Sequence, residues 1–450
     1  MYNYDYSMLT GEVITKDNFE YEESRKCWNR AIEKYPLIVN YCNDKEDVSN
    51  AIKWARKNAV PFRIRSGCHN YEGFSTGNDL FVIDVSRINS IFIDEDKNYV
   101  KLGGGVRNRE IYEALGKQGY PFPGGGCPTV GVSGLILGGG WGYSTRLFGL
   151  SCDTLIELEL VNYDGEVIIA SEKENSDLFW ACRGAGGGNF GVIVSMKFAL
   201  PNKMQMATLI NGDFNSCDIE ETINLISAWQ DMYKNLDKRF NGKMSIYNSQ
   251  ENGRGVKFTA LLYGDKNEAN QILEPLKRVS SNSFIKMEYG TVLEANRKIQ
   301  DSHPEYESYK SSGRFVYKDY SRSEIEELIH LLETRAEGAI YTAITFYGLG
   351  GAVIDVSKEK TSFYYRDAKF IMGFQSVWEE AKYAPVNRRW FLEKFNYIKS
   401  ITEGSFINFP LLELENYREE YFGENVSKLV GIKSKYDPLD VFKFPQGIID

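Results

Sequence analysis

Apolar residues recur along the chain at two spacings, and these spacings predict a mixture of helices and strands. Val48, Ala51, Ile52 and Ala55 follow the i, i+3, i+4, i+7 spacing of an amphipathic helix, which we place at 44–58. Similar stripes predict helices at 108–118, 219–236, 325–332 and 424–435. Strand-like runs occur at 60–65, 81–85, 90–93, 190–200, 256–263, 314–317, 339–347 and 369–374, and a hairpin at 155–169 turns at Asp164-Gly165. The expected fold class is therefore α+β.

The character of the sequence changes near Pro201. Before it, glycine-rich segments separate short elements, whereas after it long helical stripes alternate with strand-like runs. The later pattern is typical of an antiparallel sheet covered by helices. Because 450 residues exceed the size of one compact core, we expect two domains, the second running from 203 to about 407.

Four glycine clusters lie in the first half, at 103–105, 124–126, 138–142 and 184–191. The last contains G-x-G-x-x-G, but it follows a predicted helix and precedes a predicted strand, which is the reverse of a Rossmann site. Tight turns would explain any single cluster. Four clusters together favour another interpretation, in which backbone amides without side chains bind the pyrophosphate of a dinucleotide.

Charge and composition narrow the possible partners. The net charge of −9 and the absence of basic runs disfavour nucleic acid and an anionic membrane surface. Seven scattered cysteines and three histidines give no spacing for a disulfide framework or a metal site, so we expect no metal. The N-terminal residues lack the basic and apolar regions of a secretory signal, and no apolar run is long enough to cross a bilayer. A cytoplasmic protein is therefore expected.

Four segments together resemble the berberine-bridge-enzyme-like oxidases of the vanillyl-alcohol-oxidase superfamily. They are RSGCHNYEG at 65–73, PGGGCPTVGVSGLILGGGWGYSTR at 123–146, GGGNFG at 186–191 and YDPLDVF at 436–442. The resemblance extends from 9 to 448. It implies a two-part FAD-binding domain of the p-cresol-methylhydroxylase type, formed by 1–202 and completed by 408–450, with a substrate domain at 203–407.

The resemblance also implies that FAD is bonded twice to the protein. His69 would join the 8α-methyl group of the isoalloxazine, and Cys127 would join C6, where neighbouring backbone N–H groups would favour the thiolate. Taken alone, His69 would be a hydrogen-bonded turn residue and Cys127 a buried thiol. The same motifs imply further FAD contacts at Arg65, Ser66, Gly67, Cys68, Asn70, Gly126, Thr129, Val130, Gly131, Ser133, Gly134, Gly138, Gly139, Gly140, Gly142, Asp153, Gly187, Gly188, Asn189, Gly191, Val192, Val194 and Asn408. Cys68 stands where the family commonly has glycine, and we interpret it as a small-residue substitution.

The sequence departs from the family where a catalytic base is usual. Phe406 and Phe409 replace phenols, Gly373 stands where glutamine or glutamate is common, and Trp141 replaces a tyrosine. Tyr71, which matches a family tyrosine that faces the substrate, and Tyr347 are the remaining candidates for the catalytic base. Tyr347 has an equally weighted alternative as a tyrosine of the sheet without a chemical role.

The function implied is that of an oxidase. An alcohol, sugar or amine-type substrate would give a hydride to flavin N5, and O2 would take the electrons to form H2O2. Two alternatives stay open, a flavin dehydrogenase with another acceptor and a weakly catalytic flavoprotein with a structural role. The sequence leaves the substrate and the oligomeric state undetermined.

Overall fold

The computed structural model describes residues 4–279 and 284–449. Its first half contains two sheets. One has four strands in the order β1-β2-β4-β3, where β2 and β3 both run parallel to β4. The other is a five-stranded antiparallel sheet in the order β5-β6-β9-β7-β8. The strands are β1 Glu12–Thr15, β2 Ile38–Tyr41, β3 Phe62–Arg65, β4 Phe81–Asp84, β5 Ile91–Asp94, β6 Tyr99–Gly103, β7 Leu155–Val161, β8 Val167–Ser171 and β9 Val192–Ala199.

The second half is built on one antiparallel sheet of eight strands. Its order is β13-β10-β12-β11-β15-β16-β14-β17. The strands are β10 Met206–Asn215, β11 Phe240–Ser249, β12 Gly253–Leu262, β13 Phe284–Thr291, β14 Ser308–Val316, β15 Ala339–Gly348, β16 Phe370–Trp378 and β17 Glu403–Ser405. The helices of the chain are α1 Tyr21–Ser24, α2 Lys45–Lys57, α3 Asn108–Gly116, α4 Val132–Leu137, α5 Thr145–Phe148, α6 Ser176–Ala181, α7 Ile219–Lys234, α8 Lys266–Ile272, α9 Glu274–Val279, α10 Val292–Asp301, α11 Arg322–Leu331, α12 Ala384–Ser400, α13 Tyr417–Phe422 and α14 Val426–Tyr436.

The eight-stranded sheet has one apolar and one polar face because successive side chains of a strand point to opposite sides. The apolar face includes Met244, Ile246, Ile344, Phe346 and Phe374, which pair across β11, β15 and β16 and are buried. Helices α7 and α12 contact this sheet. The opposite face carries hydroxyl, amide and charged side chains, as described below.

The expected α+β class is confirmed, and so is the helix-covered antiparallel sheet. The predicted helix at 44–58 is α2. It is capped by Asp44, whose carboxylate accepts from the amides of Glu46 and Asp47. The strand predicted at 314–317 is longer, since β14 begins at Ser308. Strands β10, β11 and β13 were not predicted.

Candidate active site

Two loops, one carrying His69 and the other Cys127, touch through glycines. A Cβ atom on Gly67 would lie 2.2 Å from the backbone nitrogen of Gly131, and one on Gly131 would lie 2.4 Å from Ser66 Oγ. Only residues without side chains permit this approach. Because Gly67 and Gly131 belong to the loops that carry His69 and Cys127, the close approach of the glycines also brings these two predicted flavin ligands together.

Both predicted flavin ligands lie beside the Thr129 hydroxyl. His69 Nε2 is 2.8 Å from Thr129 Oγ1, and Cys127 Sγ is 3.9 Å from the same atom. The 8α-methyl group and C6 belong to the same benzenoid ring of the isoalloxazine, so the ligands for both must lie near one another. The pair therefore fits an isoalloxazine attached through the 8α-methyl group and C6.

His69 is held as a neutral imidazole. Burial lowers its pKa to about 3, and the charges of Arg107 and His303 act in the same direction. The indole of Trp28 stacks on the ring with the centroids 5.0 Å apart. A neutral ring keeps the nitrogen lone pair that a bond to carbon requires.

The environment of Cys127 does not favour the thiolate, contrary to the sequence-based expectation. Hydrogen bonds from the backbone and side chain of Thr129 and from the backbone of Val130 lower the thiol pKa, as expected. Burial nevertheless outweighs them, so that the pKa is raised. In the protein without flavin, this cysteine is therefore a thiol near neutral pH.

An opening in the glycine-rich region lies between Gly134 and Gly187. Both are exposed, although their neighbours Ser133 and Ala185 are buried. A Cβ on Gly134 would meet nothing within 4 Å, and one on Gly187 would lie 3.9 Å from the Gly134 Cα. Bare backbone facing open space suits the close approach of a dinucleotide, so the residues present fit the FAD that the motifs imply.

At several other positions predicted to contact FAD, glycine is needed because a side chain would clash with the surrounding protein or would not fit the backbone conformation. A Cβ on Gly138 would lie 2.1 Å from the amide oxygen of Asn408, whose nitrogen donates to the Leu135 carbonyl. Gly139 and Gly140 have φ of +104° and +89°, which disfavour a side chain. A Cβ on Gly142 would be 1.9 Å from the Gly124 carbonyl oxygen. The turn interpretation therefore accounts for this cluster, and its contact with FAD remains a prediction.

Three polar side chains that were predicted to contact FAD instead bind other groups of the protein. Arg65 forms a buried ion pair with Asp84. Asp153 pairs with Arg366, with Oδ1 and Nη2 2.7 Å apart and both side chains buried. Asn189 donates 3.0 Å to a backbone carbonyl of its own turn. These groups stabilise the walls of the region, and direct contact with FAD remains a prediction for each.

The remaining predicted contacts lie on the same loops and on β9. They are Ser66, Cys68 and Asn70 before and after His69, Gly126, Val130 and Ser133 near Cys127, Gly188 and Gly191 before β9, and Val192 and Val194 within it. Cys68 has a φ of +57°, which explains why relatives of this motif favour glycine there. Its thiol contacts the Lys26 carbonyl and the Ser75 hydroxyl, at 3.8 and 3.9 Å.

The two predicted catalytic tyrosines are brought together by Phe409. The ring of Tyr71 stacks on Phe409 with the centroids 5.0 Å apart, and the ring of Tyr347 lies 5.6 Å from Phe409. Trp141 packs edge-on against Tyr347 at 4.9 Å and donates from Nε1 to the Gly348 carbonyl. Both tyrosines are partly exposed, as expected for side chains that line a cleft.

The positions at which the sequence departs from the family fall into two groups. Phe409 and Gly373 lie in the cleft, since a Cβ on Gly373 would come 2.9 Å from Tyr347 Cε2. Phe406 is instead packed in the core against Phe315 and Phe363. Phe406 also packs edge-on against Phe409, with the ring centroids 5.0 Å apart.

Two family models match the chain: one described as "FAD binding domain" at residues 36–171, and one described as "Berberine and berberine like" at 405–449. The FAD-linked oxidoreductase YgaK of Bacillus subtilis is 34% identical over 446 residues, covering 98% of this chain and 97% of that protein. The chain belongs to the berberine-bridge-enzyme-like FAD-linked oxidoreductases. It is accordingly an oxidoreductase that uses FAD.

Solved structures of similar fold match nearly the full length of the chain. Chitooligosaccharide oxidase superposes with a TM-score of 0.88 at 23% identity and covers 97% of both chains. Glucooligosaccharide oxidase from Acremonium strictum, which is described as holding a 6-S-cysteinyl, 8α-N1-histidyl FAD, gives a TM-score of 0.88 at 22% identity over 97% of this chain and 96% of that one. At these identities the likeness establishes the fold.

Within the family fold, the polar sheet face adds residues that the sequence analysis missed. Lys243 pairs across the sheet with Tyr347. Lys257 pairs with Ser245, which lies two residues after Lys243 and so on the same face of β11. Because directly opposite residues share a face, both lysines lie on the face of Tyr347. The Lys243 ammonium lies 5.9 Å from the centre of the Tyr347 ring. Alternation of polar residues in KMSIYNS could have indicated this face.

The cleft environment raises the pKa of both candidate bases. Burial raises the pKa of Tyr347 to about 12, and the charge of Glu307 adds to the shift. Burial also raises the pKa of Tyr71, with further contributions from Tyr347 and Cys127. A tyrosine that acts as a base needs a cation or hydrogen-bond donors that lower its pKa, and the pKa of both tyrosines is shifted in the opposite direction.

Neither a metal-ligand cluster nor a membrane-spanning helix occurs in the part of the chain that the structure describes. No three His, Cys, Asp or Glu side chains there come together as a possible metal site. None of the helices described is both long enough and apolar enough to span a membrane.

Proposed function

We propose that the chain is an FAD oxidase whose flavin is bonded to both His69 and Cys127. The observation that carries the proposal is the meeting of the two side chains at the Thr129 hydroxyl, within 2.8 and 3.9 Å. The doubly bonded flavin named for the glucooligosaccharide oxidase supports it. Residues 1–202 with 408–450 would form the FAD-binding domain and 203–407 the substrate domain.

The substrate would lie between the polar face of the eight-stranded sheet and the loops of His69 and Cys127. Hydroxyl, amide and charged groups on that face suit an alcohol, sugar or amine-type molecule. When bound, FAD supplies the acceptor for a hydride, and O2 then takes the electrons and forms H2O2. The protein's residues bind the substrate, orient it and accept its proton, for which Tyr71 and Tyr347 remain candidates.

The linkage is tested by denaturing the purified protein and following the flavin. Flavin should remain with the polypeptide in acid, and Cys127→Ala and His69→Ala should each leave one bond, seen by peptide mass and by the absorption spectrum. Release of all flavin from the denatured wild type would contradict the proposal.

Rapid reoxidation by O2 with release of peroxide distinguishes an oxidase from a dehydrogenase, and an intact but unreactive flavin would indicate a structural role.

A further inference from the structure

Glu307, a carboxylate that belongs to no regular element, acts electrostatically on both candidate tyrosines. The segment before β14 is joined to the N-terminal part of the chain by backbone hydrogen bonds: the Arg30 amide donates to the Glu307 carbonyl at 2.7 Å, and the Glu307 amide to the Trp28 carbonyl at 3.4 Å. Asn29 and Glu307 form the corresponding parallel bridge. Position 307 is therefore fixed next to Trp28, whose ring stacks on His69.

The direction of the Glu307 side chain follows from the extended backbone that leads into β14. Residues two apart in such a backbone share a face, so Glu307 points to the same side as Tyr309. The Tyr309 ring contacts Tyr71 at 5.1 Å and Trp28 at 5.9 Å. Glu307 thus faces the cleft that these rings line.

The charge of Glu307 reaches groups on both walls of the cleft. It acts on Lys243, Lys257, Tyr71, Tyr309, Tyr341, Tyr347 and Cys127. Glu307 is half-buried, and within 4–279 and 284–449 its carboxylate makes no salt bridge or side-chain hydrogen bond. Burial raises its pKa, against the lowering effects of Lys243 and Lys257. A central carboxylate without a protein partner is available to a substrate.

We propose that Glu307 is a catalytic residue that accepts the proton lost by the substrate, which rests on the oxidase function proposed above. For an alcohol, the O–H bond breaks and its proton goes to the Glu307 carboxylate. The electron pair of that bond forms the carbonyl, and the hydrogen on carbon leaves with its own pair as a hydride to the bound flavin. The charges of Lys243 and Lys257 favour the ionised carboxylate and partly oppose the effect of burial, and Tyr347 positions the hydroxyl.

The decisive comparison is between Glu307→Gln and Glu305→Gln. Glu305 is an exposed carboxylate two residues earlier, so its replacement changes net charge by the same amount outside the cleft. Both variants are first checked for covalently bound flavin by acid precipitation, and an intact linkage shows that the flavin proposal stands by itself. Anaerobic mixing with substrate then gives the rate of flavin reduction. We expect Glu307→Gln to lower that rate by about 100-fold or more, as for loss of a general base, with Glu305→Gln unchanged.

Two further readouts separate proton transfer from a structural role. The wild-type rate should fall at low pH as Glu307 becomes protonated, and this limb should disappear in Glu307→Gln. Thermal unfolding supplies a measure independent of activity: since burial raises the folded-state pKa, ionised Glu307 costs stability above pH 4.5 but not below it. Glu307→Gln should therefore unfold at a higher temperature than wild type at pH 7.5 and at the same temperature at pH 4.

The proposal is overturned if Glu307→Gln, with its flavin attached, is reduced at the wild-type rate or keeps the wild-type acid limb. It is also overturned if Glu305→Gln loses as much activity. Release of the wild-type flavin by acid would instead reject the covalent linkage, and a wild-type flavin that no substrate reduces would reject the oxidase function. Both outcomes are seen in the wild type and are therefore distinct from a failure of the Glu307 proposal.

Discussion

Replacing Gly131 with alanine should separate the two loops that carry the flavin ligands. The added Cβ would lie 2.4 Å from Ser66 Oγ and 2.6 Å from the Gly67 nitrogen. Ordinary contact needs about 3.5 Å, so the loops must move apart by about 1 Å. A shift of that size would lengthen the 2.8 Å contact of His69 with Thr129 beyond hydrogen-bonding distance. We expect incomplete covalent attachment and a loss of about 1–3 kcal/mol in stability from overpacking.

The assay combines flavin fluorescence of the denatured polypeptide with peptide mass spectrometry and thermal unfolding. Gly431→Ala is the matched control, since a Cβ on this exposed glycine of α14 would meet nothing within 4 Å. That change should leave both bonds intact and stabilise the helix by up to about 1 kcal/mol. If Gly131→Ala carries both bonds at full occupancy and unfolds at the wild-type temperature, the loops do not need the close approach, and our account of the site is wrong.

Three other substitutions test the cleft, its wall and the turn before His69. Tyr347→Phe should lower the rate of flavin reduction, measured by rapid mixing, more than it weakens substrate binding, because the ring contacts remain; an unchanged rate would show that Tyr347 only shapes the cleft. Arg366→Met leaves Asp153 buried without its ion pair and should cost about 3–5 kcal/mol in urea unfolding, and a cost below about 1 kcal/mol would contradict the role of that pair. Cys68→Gly relieves a φ of +57° and should raise the unfolding temperature, whereas a clear fall would mean that the thiol contacts outweigh the backbone strain.

A helix or strand could be predicted when its apolar and polar positions follow a regular spacing. Helix α2 was predicted within about one residue of its ends because it has both a capping aspartate and an apolar stripe. Strand β11 was missed. Its sequence, FNGKMSIYNS, contains Gly, Asn, Lys and Ser, which are usual in loops. These polar residues occur in the strand because one of its faces lines a polar cleft.

The candidate site shows the same division. His69 and Cys127 lie in long motifs, so local sequence was sufficient to select them. Glu307 lies in a segment without periodicity, and its place beside Trp28 depends on backbone bonds to a distant part of the chain. The pKa direction of Cys127 was wrong for a related reason: the neighbouring donors are local and visible in the sequence, whereas burial depends on the whole fold.

Burial moves the ionisable groups of the cleft toward their neutral forms. It lowers the pKa of His69 to about 3 and that of Lys243 to about 8, and it raises the pKa of Glu307. Lys243 and Glu307 therefore both cost stability near neutral pH, since each would be fully ionised in the unfolded chain. Each partly offsets the cost of the other across the cleft without direct contact. An arrangement that costs stability and leaves space between opposite charges is what we expect where a substrate must enter.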